Sequence, residues 1–176
     1  SAGGSVTVSP DTWQTDYGIQ ADANDGTGWD AGWDYSGALS TGNLWMGDYY
    51  GTDCDGGFRW TNVTIAQGST IDSCVIDVNK VFGSATFSVR IKAWDHDSAP
   101  VFDGDNLPQG VTQTTAYVDW TITAASGWKT TPSMTTIAKE LVDRAGWASG
   151  NAMNFMMLGA GASQGVAWDS TAATPP

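Results

Sequence analysis

The chain has 176 residues, a net charge of −12 from 19 acidic and 7 basic side chains, 22 glycines and 10 tryptophans. That length fits one domain with its own core. The charge excludes a surface that displaces counterions from nucleic-acid phosphate and disfavours an anionic membrane, and no apolar run reaches the ~20 residues a membrane-crossing helix needs.

Glu occurs once, as Glu140, while Gly, Thr, Ser and Asp are abundant, the composition of short strands joined by many loops. No secretory leader is evident, and Ser1 can follow a removed initiator Met or a removed signal. Residues 5–9 alternate and predict a first strand stopped by Pro10; residues 17–22 predict a second. Residues 22–37 read as a loop dense in Asp, Gly and aromatics, residues 43–47 as a strand, and residues 48–57 as another such loop. Residues 58–78 predict a hairpin that organises the fold. Phe58, Trp60, Val63 and Ile65 lie on one arm, Cys74, Ile76 and Val78 on the other, and Gly68 supplies the left-handed freedom of the reversal.

Residues 86–94 alternate most clearly, with Phe87, Val89, Ile91 and Ala93 on one face and Ser88, Arg90 and Lys92 on the other. A long turn over 95–106 and a strand over 115–122 follow. A helix is predicted over 134–144, with Ser133 as N-cap, Arg144 in the last turn and Gly146 in the left-handed position after it. Strands resume at 152–158 and 166–168. The sum is an all-β, antiparallel sandwich or jelly roll of about nine strands with one short helix, in a single domain over 1–176.

Several motifs resemble one family. F-R-W-T-N-V-T-I-A-Q-G-S-T-I (58–71), A-P-V-F (99–102), T-A-Y-V-D-W (115–120), G-W-A-S-G-N-A (146–152) and A-W-D-S…A-A-T-P (167–175) are similar, in that order, to a β-sandwich module of bacterial secreted and phage-encoded proteins. The family's hairpin reads F-R-F-x-N-V-x-I-P-Q-G-A-x-I and its later signature G-W-x-x-G-N; the likeness covers residues 57–175. It implies a β-sandwich that works as an accessory module, with no established chemistry. In the family a final L-x-V-x-Y strand follows the terminal A-P, whereas this chain stops at Pro176. The expectation is a longer native tail or a strand donated by a neighbour.

Residue chemistry gives two further candidates. Calcium takes six to eight oxygens, and Asp22, Asn24, Asp25 and Asp30 in one loop, with Asp95, Asp97, Asp103 and Asp105 in another, could supply them. Neither has EF-hand spacing, and the alternative is turn-forming Asp and Asn. Trp29, Trp33, Tyr35, Trp45, Tyr49 and Tyr50 could stack on sugar rings, or else pack the ends of the sheet. Trp60, Trp94, Trp120 and Trp147 read as structural.

Catalysis is not expected. Glu140 reads as a solvated residue beside Lys139. His96, the single histidine, lies between two acids with no G-x-S-x-G elbow in the chain. Cys54 and Cys74 match no metal pattern and read as a disulfide or as two thiols; Asn62-Val63-Thr64 is a formal glycosylation sequon.

The leading expectation is a non-catalytic structural or decorating protein of a virion surface or extracellular assembly, touching neighbouring subunits of a capsid or filament. The second is a carbohydrate-binding or adhesion module using residues 29–50 on a polysaccharide. Neither nucleic acid nor membrane insertion is expected.

Overall fold

The structure, a computed structural model, describes residues 5–6, 25–29, 32–34, 43–49, 52–80, 85–101, 106–159 and 166–169. In chain order the strands are β1 (Ser5–Val6), β2 (Asp25–Trp29), β3 (Gly32–Asp34), β4 (Asn43–Tyr49), β5 (Thr52–Val63), β6 (Thr70–Ile71), β7 (Asp77–Lys80), β8 (Phe87–Ala93), β9 (Val118–Ile122) and β10 (Gly127–Thr130). Helix α1 (Thr135–Val142) comes next, then β11 (Asn151–Gly159) and β12 (Val166–Asp169). Among the described residues nine of these strands have four or more residues and α1 is the one helix, so the all-β architecture with a short helix stands.

The main sheet runs β12-β4-β5-β11-β8-β9, with the β2–β3 hairpin also on β5, and every pairing within it is antiparallel. Alternation explains its two faces. In β8, Phe87, Val89, Ile91 and Ala93 are buried while Arg90 is exposed. The β5–β11 register sets Phe58 opposite Phe155 and Trp60 opposite Met153. Trp60 meets the edge of Phe155 at 5.8 Å between ring centres. That face packs against a second layer made of α1, β6 and β7, where Ile137, Leu141, Ile71 and Val78 close the core. The opposite face of β11 carries a smaller cluster, Met156 with Trp94 and Ala99.

The segment after β8 is stitched over this second face. The Ala99 N–H donates to Ala152 O (3.1 Å), Arg59 Nε to Ala99 O (2.8 Å) and Asn154 Nδ2 to Pro100 O (3.0 Å). Trp60, Trp94, Trp120 and Trp147 are all buried, as expected of structural residues.

Four local readings change. The chain does not form a hairpin over 58–78. It leaves β5 through Asn62 (φ 56°), turns at Gly68 (φ 73°), whose N–H donates to Val142 O at 2.9 Å, and crosses to the helix layer. There β6 pairs with β1 and β7 with β10. The reversal was legible; the partner was not, because apolar alternation does not say which strand lies alongside.

The Asp- and Gly-rich stretches expected as loops are in part β2, β3 and the start of β5. Ser133 is not the N-cap, since α1 starts after Met134 with no side-chain cap. Gly146 is not left-handed. It is glycine for space, because a Cβ there would land on the Asp97 carboxylate. The strand expected over 17–22 lies outside the described residues.

Cys54 and Cys74 are buried thiols rather than the two halves of a disulfide. Cys54 stands in β5 between Trp29 of β2 and Gly47 of β4, whereas Cys74 sits in the helix layer, its carbonyl accepting from Met134 N at 2.8 Å. Burial pushes the Cys74 thiol up to about 12. A raised folded-state pKa contributes stability that is present below the unfolded value and lost as pH rises toward the folded one. The window is therefore roughly pH 9 to 12. In chemical denaturation across that range, wild type should lose about 1.4 kcal/mol per pH unit more than Cys74→Ala. Parallel curves for the two would contradict the burial argument.

Candidate interaction surface

The acidic loop after β8 is tied to Arg144, which follows α1. The Arg144 guanidinium donates through Nε to Asp97 Oδ1 at 2.7 Å and through Nη1 to Asp95 Oδ1. The bond to Asp97, then that to Asp95, raises the Arg144 pKa. These oxygens are paired with a cation of the chain's own, Arg144, which calcium at Asp95 and Asp97 would have to displace. Among the described residues no group of three His, Cys, Asp or Glu side chains could hold a metal. Asp22, Asn24, Asp30, Asp103 and Asp105 lie outside the described residues, and Asp25 opens β2 opposite Phe58. Exposed His96 accepts at Nδ1 from the Ser98 N–H (3.1 Å) and meets the Trp94 ring edge-on.

The aromatic candidates fall on several ladders. Trp29 pairs with Gly32, and Gly28 with Trp33, so the two tryptophan positions lie on opposite faces of the β2–β3 ladder. Trp45 pairs with Ala167, and Tyr49 with Thr52 at the β4–β5 turn. Tyr35 and Tyr50 lie outside the described residues.

Glu140 is not a solvated bystander. Its two carboxylate oxygens accept the N–H groups of Thr115 (2.7 Å) and Ala116 (2.8 Å), clamping the chain that leads into β9. Bonds from backbone N–H to a carboxylate are among the stronger ones. Glu140→Ala should therefore cost about 1–2 kcal/mol, and Glu140→Gln, which keeps one acceptor, less; urea denaturation measures both. An alanine variant as stable as wild type would return Glu140 to the solvent.

Two grooves lie among the described residues. One of about 460 Å³ lies between β6 and α1, lined by Thr70, Ile71, Thr136, Lys139 and Asp143, with Lys139 and Asp143 already paired. The other, about 370 Å³, lies on the outer face beside Arg90, Lys92, Gln113 and Leu158. Arg90 there is forked onto Asp119 (2.7 and 3.0 Å) and stacked on Tyr117.

The remaining feature is a strand edge. Among the described residues β9 pairs only with β8 and β10 only with β7. The β9 edge is charged by Asp119 and its Arg90 partner, a common guard against strand addition. The β10 edge reads Gly-Trp-Lys-Thr, and Trp128 is 48% exposed, one of two large exposed hydrophobics among the described residues, with Tyr117.

Buried Lys80 fixes this ladder to the β9–β10 connection. Its Nζ donates to Ala85 O (3.0 Å), Thr123 O (3.0 Å) and Ala124 O (2.7 Å). Burial, then Lys129, lowers the Lys80 pKa. β10 leaves no signal in the sequence, because four residues with one exposed Trp give no periodicity to count.

Comparison with family models, with curated proteins and with solved structures finds no match.

Proposed function

We propose that the protein is a non-catalytic structural or surface-decorating β-protein of a virion or other extracellular assembly, acting through protein–protein contacts. The observation that carries this reading is the β10 edge. Among the described residues it pairs on one side only, it is tied by Lys80 to the β9–β10 connection, and it bears a half-exposed Trp128 beside a single charge, Lys129. Strand edges of this kind recruit partners through main-chain hydrogen bonds, with a protruding aromatic as the anchor. The resemblance to accessory modules of secreted and phage proteins supports the same reading and gives the exterior setting.

The test is immunogold microscopy of native particles and filaments from the source, repeated with Trp128→Glu. Regular placement on an assembly, lost in the variant, supports the reading. Saturable binding on a glycan array that Trp33→Ala or Trp45→Ala abolishes, without any particle association, would replace it with carbohydrate recognition by residues 29–50. Polysaccharide hydrolysis lost on changing one Asp would replace it with an enzyme.

A further inference from the structure

The β10 edge also indicates which partner it fits. We infer that β10 pairs with β10 of a second copy of this chain, antiparallel about a two-fold axis at Trp128. This rests on the reading of β10 as a contact edge and names its partner.

Charge selects the partner. Two copies each carrying −12 repel over most approaches. From Trp120 to Lys139 the chain has no acidic residue. The β7–β10 ladder holds Lys80 and Lys129 against one carboxylate, Asp77, which accepts from Thr130 Oγ1 at 2.5 Å. Copies of an acidic chain can meet here without stacking carboxylates.

Register selects the axis. Paired residues of an antiparallel ladder share a face, and Trp128, on the exposed face, is opposite Asn79 of β7. A copy related by a two-fold axis keeps its faces, so residues of like parity must pair. Two registers satisfy this near the strand centre. One sets Trp128 on Trp128 and Lys129 on Gly127. The other sets Lys129 on Lys129, placing like charges directly opposite. The first avoids that repulsion and joins the two exposed rings as a cross-strand aromatic pair. Lys129 is the kind of residue that guards an edge, but its Nζ is turned back onto Thr123 Oγ1 at 3.1 Å, and glycine would face it.

The experiment is sedimentation of the purified chain from about 1 µM to about 1 mM, the span of weak protein contacts. Reversible dimers are expected, favoured by added salt because repulsion between the acidic copies is screened. Trp128→Glu should weaken association at least tenfold and Trp128→Phe should largely keep it, both retaining the wild-type circular dichroism and melting profile. Under mild oxidation Trp128→Cys should give a disulfide-linked dimer. Lys129→Cys should not, because its counterpart would be a diagonal neighbour about 7–8 Å away. A monomer throughout, dimers indifferent to Trp128→Glu, or linkage through Lys129→Cys rather than Trp128→Cys would overturn the inference. A protein monomeric alone whose Trp128→Glu variant is lost from native particles would overturn self-pairing and leave the contact reading intact. A self-pairing protein absent from every particle would do the reverse.

Discussion

Replacing Trp147 by alanine should cost about 3–5 kcal/mol, the largest loss expected of any single change in the second layer. The ring is 3% exposed within the main core, and its indole Nε1 donates to Ile65 O at 2.9 Å. Ile65 lies just past β5, and Trp147 lies between α1 and β11. The contact therefore joins the exit of one core strand to the entry of its neighbour, 82 positions along the chain. Gly150 N donates to Val63 O at 2.9 Å in the same place. Alanine leaves a ring-sized cavity and an orphaned buried carbonyl, and the two penalties add. Phenylalanine would refill most of the volume but not the hydrogen bond, so Trp147→Phe should cost about 1–2 kcal/mol. For a chain of this size the alanine variant should melt roughly 10 °C lower. Far-ultraviolet circular dichroism during urea denaturation is the measurement, because 10 tryptophans confuse fluorescence. An alanine variant within about 1 kcal/mol of wild type would mean the two segments are held together by other contacts.

The parts of this fold legible in the sequence were those where one element carries a full period. β8 alternates over seven residues and α1 repeats its apolar positions, and both lie where expected. Partners were not legible. β5 was expected to fold back on the stretch before β7, yet its neighbours are β2, β4 and β11. Nothing local in Phe58, Trp60 or Val63 distinguishes those neighbours, because apolar residues of any strand can fill the same core face.

The candidate site follows the same rule. Glu140 reads locally as a solvated acid and Asp97 as a calcium candidate or turn residue, but each has a distant partner: the N–H groups before β9 for one, Arg144 for the other. Trp128 was one aromatic among many until the ladder placed it at an edge. Local chemistry can propose a ligand, but only topology shows whether the same atoms are already used.

Arg144 is where this distinction can be measured. Its side chain, 29% exposed, holds two carboxylates from the loop after β8, and its carbonyl accepts from Gln67 Nε2 (2.7 Å) and Trp147 N (3.0 Å). Arg144→Met keeps the stem and the backbone bonds but leaves Asp95 and Asp97 facing each other uncompensated. Charge-assisted hydrogen bonds contribute about 1.5–3 kcal/mol each when sheltered. With the carboxylates 31% and 42% exposed, the pair together should be worth about 2 kcal/mol, and less in 1 M salt. Gly146→Ala acts on the same carboxylate from the other side, since its methyl would occupy the place of the Asp97 oxygen. In wild type Asp97 must then swing away from Arg144 and lose that bond; in Arg144→Met the bond is already gone. Gly146→Ala should therefore destabilise wild type by about 1–2 kcal/mol and the Arg144→Met protein by clearly less, a non-additive cycle reporting one shared interaction. Calcium separates this structural pairing from ion binding. Any shift in Tm on adding calcium should be the same in wild type and Asp97→Asn. A calcium shift that Asp97→Asn removes would mean the carboxylates exchange Arg144 for the ion.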